Sequence, residues 1–141
     1  MEVNINGIKA LEKLDDNLKK VSKNTMSKVG QVVETDILLG FKNETDPSGK
    51  KWAGLKPSTI KSRLRKGVGE IKILQDTGNL KKSLNRKASE GSVTIGFGAK
   101  YSVFHQLGTG DMEARKILPT EPEEIDMEEI ERIILGDIKD V

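Results

Sequence analysis

The sequence predicts one domain that mixes helices with a single antiparallel hairpin, and three stretches carry that prediction. Residues 7–40 place apolar side chains at three- and four-residue steps. Residues 86–97 alternate apolar and polar side chains around a glycine turn. Residues 126–136 open on a helix-capping signature. A chain of 141 residues is the length of a single domain, taken as 1–141. It is long enough to bury roughly two thirds of its unfolded surface.

In the first stretch Ile8, Leu11, Leu14, Leu18, Val21, Val29, Val32, Val33 and Ile37 form the apolar stripe of one long helix. The stripe fades at Ser22–Ser27, where Asn24 and Thr25 are poor helix formers, so a kink or break is expected there. Gly40 and the segment Asn43–Gly49 end the helix, and Asp46-Pro47-Ser48-Gly49 reads as a turn. Ser58 is placed to cap a short helix running to Lys66, with Ile60 and Leu64 on one face and Lys61, Arg63, Arg65 and Lys66 on a basic one. Lys66–Glu70, with Gly67 and Gly69, reads as a mobile segment.

Asp76–Leu80 opens another short helix, and the hairpin pairs Arg86–Ala88 with Ser92–Phe97 around Ser89-Glu90-Gly91. Tyr101–Leu107 gives two helical turns closed by Gly108, and Ile117-Leu118 suggests a last short strand. The C-terminal helix is capped by Asp126, with Glu129 completing a capping box and Ile125 and Ile130 a hydrophobic staple; Gly136 is its expected stop.

Composition narrows the function classes. The chain has no Cys, which removes disulfides and thiolate chemistry, and no apolar run approaches the ~18 residues of a membrane span. The N-terminus shows no secretory pattern, so the expected setting is the cytoplasm or an assembly built there. A net charge of +2 conceals strong blocks: residues 42–100 carry fourteen basic and five acidic groups, a net of +9, whereas residues 111–141 carry four basic and eleven acidic, a net of −7. Such blocks can be solvated faces, bind nucleic acid, or complement each other between subunits.

Few residues suggest chemistry. His105 is the only His, so a His pair for zinc is impossible, and a triad needs partners from elsewhere. Its simplest role is packing or capping within its own helix. The acidic run Glu121–Glu129 lacks the ligand spacing of a metal loop and reads as a helix start favoured by the dipole. Gly96-Phe97-Gly98 lacks the pattern of a phosphate loop and fits close backbone approach or a bulge at a strand end. Lys61, Arg63, Arg65 and Lys66 can meet DNA phosphates, although no recognition helix or stacking platform accompanies them. Trp52 either anchors an interface or packs half-buried near the long helix.

Several motifs recur in a fixed order: Phe41; Asp46-Pro47-Ser48-Gly49-Lys50-Lys51-Trp52 with Leu55 and Thr59; the basic Lys61–Lys66; Ile73–Leu80 and Ser83-Leu84; the strand Val93–Gly98; Tyr101, His105-Gln106 and Gly108; and Ala114-Arg115 with Leu118. In this order and spacing, over about residues 35–135, the chain resembles the phage virion morphogenesis family, also called tail completion proteins. Two positions depart from the pattern: Ser102 stands where Ala is usual, and Lys116 where Pro is common.

The resemblance implies an α+β fold, with a long N-terminal helix packed on a small antiparallel β-sheet, short helices around it and a C-terminal helix. It implies a structural protein of the virion, assembled in the host cytoplasm and acting in tail completion or head–tail joining, with no catalysis and no cofactor. Its partners would be other tail and neck proteins and further copies of itself in a ring; the basic stretch adds non-specific contact with DNA, and the lack of a long apolar run implies no membrane. On this reading Trp52, Tyr101, Phe104, His105 and Arg115 fix the fold or the assembly surface. The alternative is a small basic DNA-binding module using the 61–66 helix. An enzyme centred on His105 ranks last.

Overall fold

The computed structural model describes residues 1–6, 21–67, 71–75 and 78–139. The architecture is α+β, with the long helix laid on a three-stranded sheet of order β1-β3-β2. Strand β1 (Glu2–Asn6) is an element that the sequence pattern did not announce. The alternation of Val3 and Ile5 with Glu2 and Asn4 is its short signal. It runs antiparallel to β3 (Ser92–Phe97), with Ile5 opposite Val93 and Val3 opposite Ile95. On the other edge β3 pairs with β2 (Leu84–Ser89) through the Glu90-Gly91 turn, where Gly91 takes φ +77°. Close backbone approach is realised at Gly96, where a Cβ would fall 2.7 Å from the Met1 carbonyl oxygen.

Helix α1 (Lys23–Asn43) begins later than the stripe suggests. Ser22 is its N-cap and accepts the Thr25 N–H at 3.2 Å, so of the kink or break expected in the faded stretch the structure has the break, a true helix start. The Gly91 N–H donates to the Val21 carbonyl at 2.8 Å and ties this start to the hairpin turn. The expected helical stretch 7–20 lies outside the described residues, as do Gly69, Glu70, Asp76 and Thr77. Met26, Val29, Val33, Ile37 and Phe41 form the buried face of α1, against Val93, Ile95 and Phe97 of β3. Each such side chain contributes about 1.5–3 kcal/mol on burial. Gly30 lets α1 sit close to the sheet, because a Cβ there would lie 2.5 Å from Arg86 Cδ and 2.8 Å from Val93 Cγ2.

The C-terminus of α1 engages two lysines and a glutamine. Lys51 Nζ, Lys72 Nζ and Gln75 Nε2 donate to the carbonyls of Asn43, Lys42 and Phe41 at 2.8, 2.9 and 3.1 Å. These are the carbonyls that a helix end leaves without partners. Glu44 turns the chain at φ +56°, and its carboxylate accepts the Ile73 N–H at 3.1 Å. The expected turn at residues 46–49 follows: Asp46 Oδ1 accepts from the N–H groups of Ser48 and Lys50, both at 2.9 Å, and from Ser48 Oγ at 2.6 Å.

Helix α2 (Pro57–Arg65) is capped by Lys56 with Pro57 in its first turn, so Ser58 lies inside the helix and is not its cap. After the short α3 (Asn79–Lys82) and the hairpin comes α4 (Ser102–Leu107). Ile117 and Leu118 are buried but irregular, not a strand, for a reason given below. Helix α5 (Met127–Lys139) has the expected Asp126 cap, which accepts the Glu129 N–H at 3.2 Å. The Glu129 carboxylate faces Arg132 at 2.5 Å. Gly136 does not stop α5: a mid-helix Gly costs about 1 kcal/mol and nothing more forces a break there. Ile130 and Ile134 are buried in the same core as α1.

Candidate functional site

The motif residues of the second half converge on α4 and the segment that returns beneath it. Helix α4 is inside-out. Its buried side chains are the polar Ser102 and Gln106, while Phe104 is 52% and Leu107 73% exposed. Gln106 explains the inversion. Its Oε1 accepts the N–H groups of Ile117 and Leu118 at 2.8 and 2.9 Å, and its Nε2 donates to the Leu118 carbonyl at 2.9 Å. One side chain thus stands in for a partner strand and satisfies three buried backbone groups that would otherwise cost about 1–3 kcal/mol each. This is why Ile117 and Leu118 need no strand.

Gly108 reverses the chain at φ +74°, and a Cβ there would lie 2.8 Å from the Ala114 nitrogen. The Thr109 N–H then donates to the Met112 carbonyl at 2.8 Å and brings residue 115 back under the helix. The Arg115 N–H donates to the His105 carbonyl at 2.7 Å. The Arg115 guanidinium forks onto the carbonyls of Ala53 and Gly54, with Nε and Nη2 donating at 2.8 and 2.9 Å. Trp52, next in the chain, is buried: its indole Nε1 donates to the Lys116 carbonyl at 2.9 Å, and its ring meets Phe41 edge-on at 5.5 Å. Lys116 Nζ also reaches Glu124 Oε1 at 2.5 Å, so the Lys found where Pro is common closes an ion pair of its own.

Leu55, Thr59, Arg63, Tyr101, His105 and Arg115 line a cleft of about 590 Å³ between α2 and α4. Tyr101 and His105 meet edge-on within it, with centroids 5.9 Å apart. Burial, and then the Arg115 cation, hold the His105 pKa below its ordinary 6.5, so the ring is neutral near pH 7. Its Nδ1 is buried without a hydrogen-bond partner among the described residues. Among those residues no group of three or more His, Cys, Asp or Glu is arranged to hold a metal ion. No described helix is long and apolar enough to cross a membrane.

The structure therefore brings Trp52, Tyr101, His105 and Arg115 to one junction and leaves Phe104 on the surface beside it. Lys61 and Arg65 on α2, and Lys66 at its C-cap, are exposed. Arg63 is not part of that basic face. It is 7% exposed, turned inward, and its Nη1 donates to the Lys72 carbonyl. The reason is helical phase: Arg63 shares the stripe of Thr59, which faces the cleft, whereas Lys61 and Arg65 point about a third of a turn or more away. Gln106 is the residue whose weight the sequence hid. The signal was its four-residue spacing from Ser102, which makes one polar face on a helix whose other face is apolar.

The family model of phage virion morphogenesis proteins matches residues 4–138, which takes in most of the sheet, the junction and nearly all of α5. The chain belongs to the phage virion morphogenesis family. A relative in Haemophilus influenzae, Mu-like prophage FluMu G protein 1, is 34% identical over 92 residues, covering 64% of this chain and 63% of that protein. The chain thus matches somewhat under two thirds of that relative's length. No solved structure matches. Membership in the virion morphogenesis family supports a structural role in building phage particles. It agrees with a motif whose side chains are spent on backbone carbonyls and N–H groups.

Proposed function

We propose that the protein is a structural component of a phage or prophage virion that acts in tail completion or head–tail joining. The observation that carries this reading is the use of the motif residues. Arg115 and Trp52 lock the segment 105–118 to the segment 52–54, Gln106 ties α4 to Ile117-Leu118, and each of these contacts is to backbone. Such a lock holds a rigid outer surface in place. It does not assemble an acid, a base and a nucleophile around a substrate. The protein works without catalysis or a cofactor, in the host cytoplasm during assembly and then in the particle. Its partners are further copies of itself and other tail or neck proteins, and exposed Lys61, Arg65 and Lys66 allow salt-dependent contact with passing DNA.

The test is a deletion of the gene from the lysogen that carries it, followed by induction and electron microscopy. Heads and tails that accumulate unjoined, or tails left unfinished, with infectivity restored by the gene in trans, are the expected result. A normal yield of infectious particles from the deletion would overturn the reading.

A further inference from the structure

We propose that the rim of the α2–α4 cleft is the docking surface for the outward face of α5 from a second copy of the chain, so that copies join head to tail. The surface is read in stripes. On α2, Thr59 and Arg63 face the cleft, exposed Ile60 and Leu64 form the next stripe, and exposed Lys61 and Arg65 the one beyond. On α4, Tyr101 and His105 face the cleft, while Phe104 and Leu107 stand beside them in solvent. Leu64 is 60% exposed, so large apolar side chains flank the cleft on both helices. Exposed apolar groups clustered in this way mark an interaction surface. The charge around them is positive on the α2 side, although Asp111 and Glu113 also line the cleft. Arg115 hydrogen-bonds to carbonyls, which satisfy its donors without cancelling its charge.

The occupant must be acidic, with an apolar element. Helix α5 presents such a face: Glu128, Glu131 and Leu135 are all exposed and fall on one stripe at steps of three and four. That stripe lies about a third of a turn from Ile130 and Ile134, which are buried in the core, and exposed Arg132 borders it. The two faces lie on different elements: the α2 side of the rim belongs to the block of net +9 (residues 42–100) and α5 to the block of net −7 (residues 111–141), with α4 between the blocks. A contact between two different faces of identical chains is heterologous and propagates into a ring or a filament. The charge blocks steer the approach and fix the register, and the leucines and Phe104 supply the apolar centre.

The inference rests on the assembly role proposed above, and mixing two variants tests it. Leu107→Glu spoils the cleft rim and keeps the α5 face; Glu131→Lys spoils the α5 face and keeps the rim. Both positions are exposed, and circular dichroism and thermal melting check that both variants fold. Wild-type protein is expected to associate by sedimentation at about 10 mM salt and to weaken at least ~10-fold at about 1 M, where the screening length falls from ~30 Å to ~3 Å. Each variant alone is expected to be monomeric, and an equimolar mixture to form a dimer that grows no further. A wild-type chain that stays monomeric at low salt, variants that associate like wild type, or a mixture without the dimer each overturn the proposal. Particle yield from the complemented deletion separates the two readings. A chain needed for particles that never self-associates loses this interface and keeps its assembly role.

Discussion

Replacing Gln106 with Met keeps the length of the side chain and removes its hydrogen bonds. In the native structure Gln106 is 8% exposed and serves the N–H groups of Ile117 and Leu118 and the carbonyl of Leu118. Ile117 and Leu118 are themselves buried, so water does not readily replace the lost partners. Three unsatisfied groups at about 1–3 kcal/mol each set a gross cost of at least ~3 kcal/mol. The apolar surface of Met returns about 1 kcal/mol. The net loss expected for Gln106→Met is therefore at least about 2 kcal/mol, against a total of about 5–15 kcal/mol for a domain of this kind. Urea unfolding followed by circular dichroism reads the change. With a slope of about 1–3 kcal/mol/M, the midpoint should fall by at least ~0.7 M while the slope itself stays constant. A Gln106→Met protein within about 1 kcal/mol of wild type would refute the argument that this side chain replaces a strand.

Ser102 is fully buried, and its hydroxyl has no hydrogen-bond partner among the described residues, so Ser102→Ala should be neutral or raise stability by about 1 kcal/mol in the same urea assay. Gly30→Val should destabilise by at least about 1–3 kcal/mol and loosen the Arg86–Glu34 ion pair at 3.0 Å, because the added carbons enter the space of Arg86 and Val93; an unchanged melting temperature would count against the close helix–sheet contact. His105 gives a pH signature. Burial and Arg115 set its folded pKa below 6.5, so the unfolded chain takes up the proton first as pH falls. This contribution is complete above pH 6.5 and is lost on the way down to the folded value. Thermal midpoints between about pH 7.5 and 5 should fall more steeply for wild type than for His105→Gln, and parallel curves would contradict it.

Trp52 shows how the structure changes an experiment. Read as a surface anchor, Trp52→Ala would test assembly; buried against Phe41 and bonded to the Lys116 carbonyl, the same change is a folding lesion of about 3–5 kcal/mol. Assembly is better probed at exposed Leu107.

The sequence by itself determined the elements whose signals are local. The periodic stripe gave the body of α1, alternation with a Gly turn gave the β2–β3 hairpin, and Asp126 gave the start of α5. The Asp46–Gly49 turn needs only its own side chains and backbone, and it was legible for that reason. The ordered motifs also carried the family. Tertiary structure alone decided what depends on partners distant in the chain. Strand β1 exists because β3 has a free edge some ninety residues later, where Val3 meets Ile95. Arg63 turns inward because the Lys72 carbonyl waits there, and Ile117-Leu118 stays irregular because Gln106 has taken the place of a strand. Helix α4 is the plainest case. Burial by hydrophobicity would hide Phe104 and Leu107 and expose Gln106, yet three buried backbone groups outweigh that preference and turn the helix over.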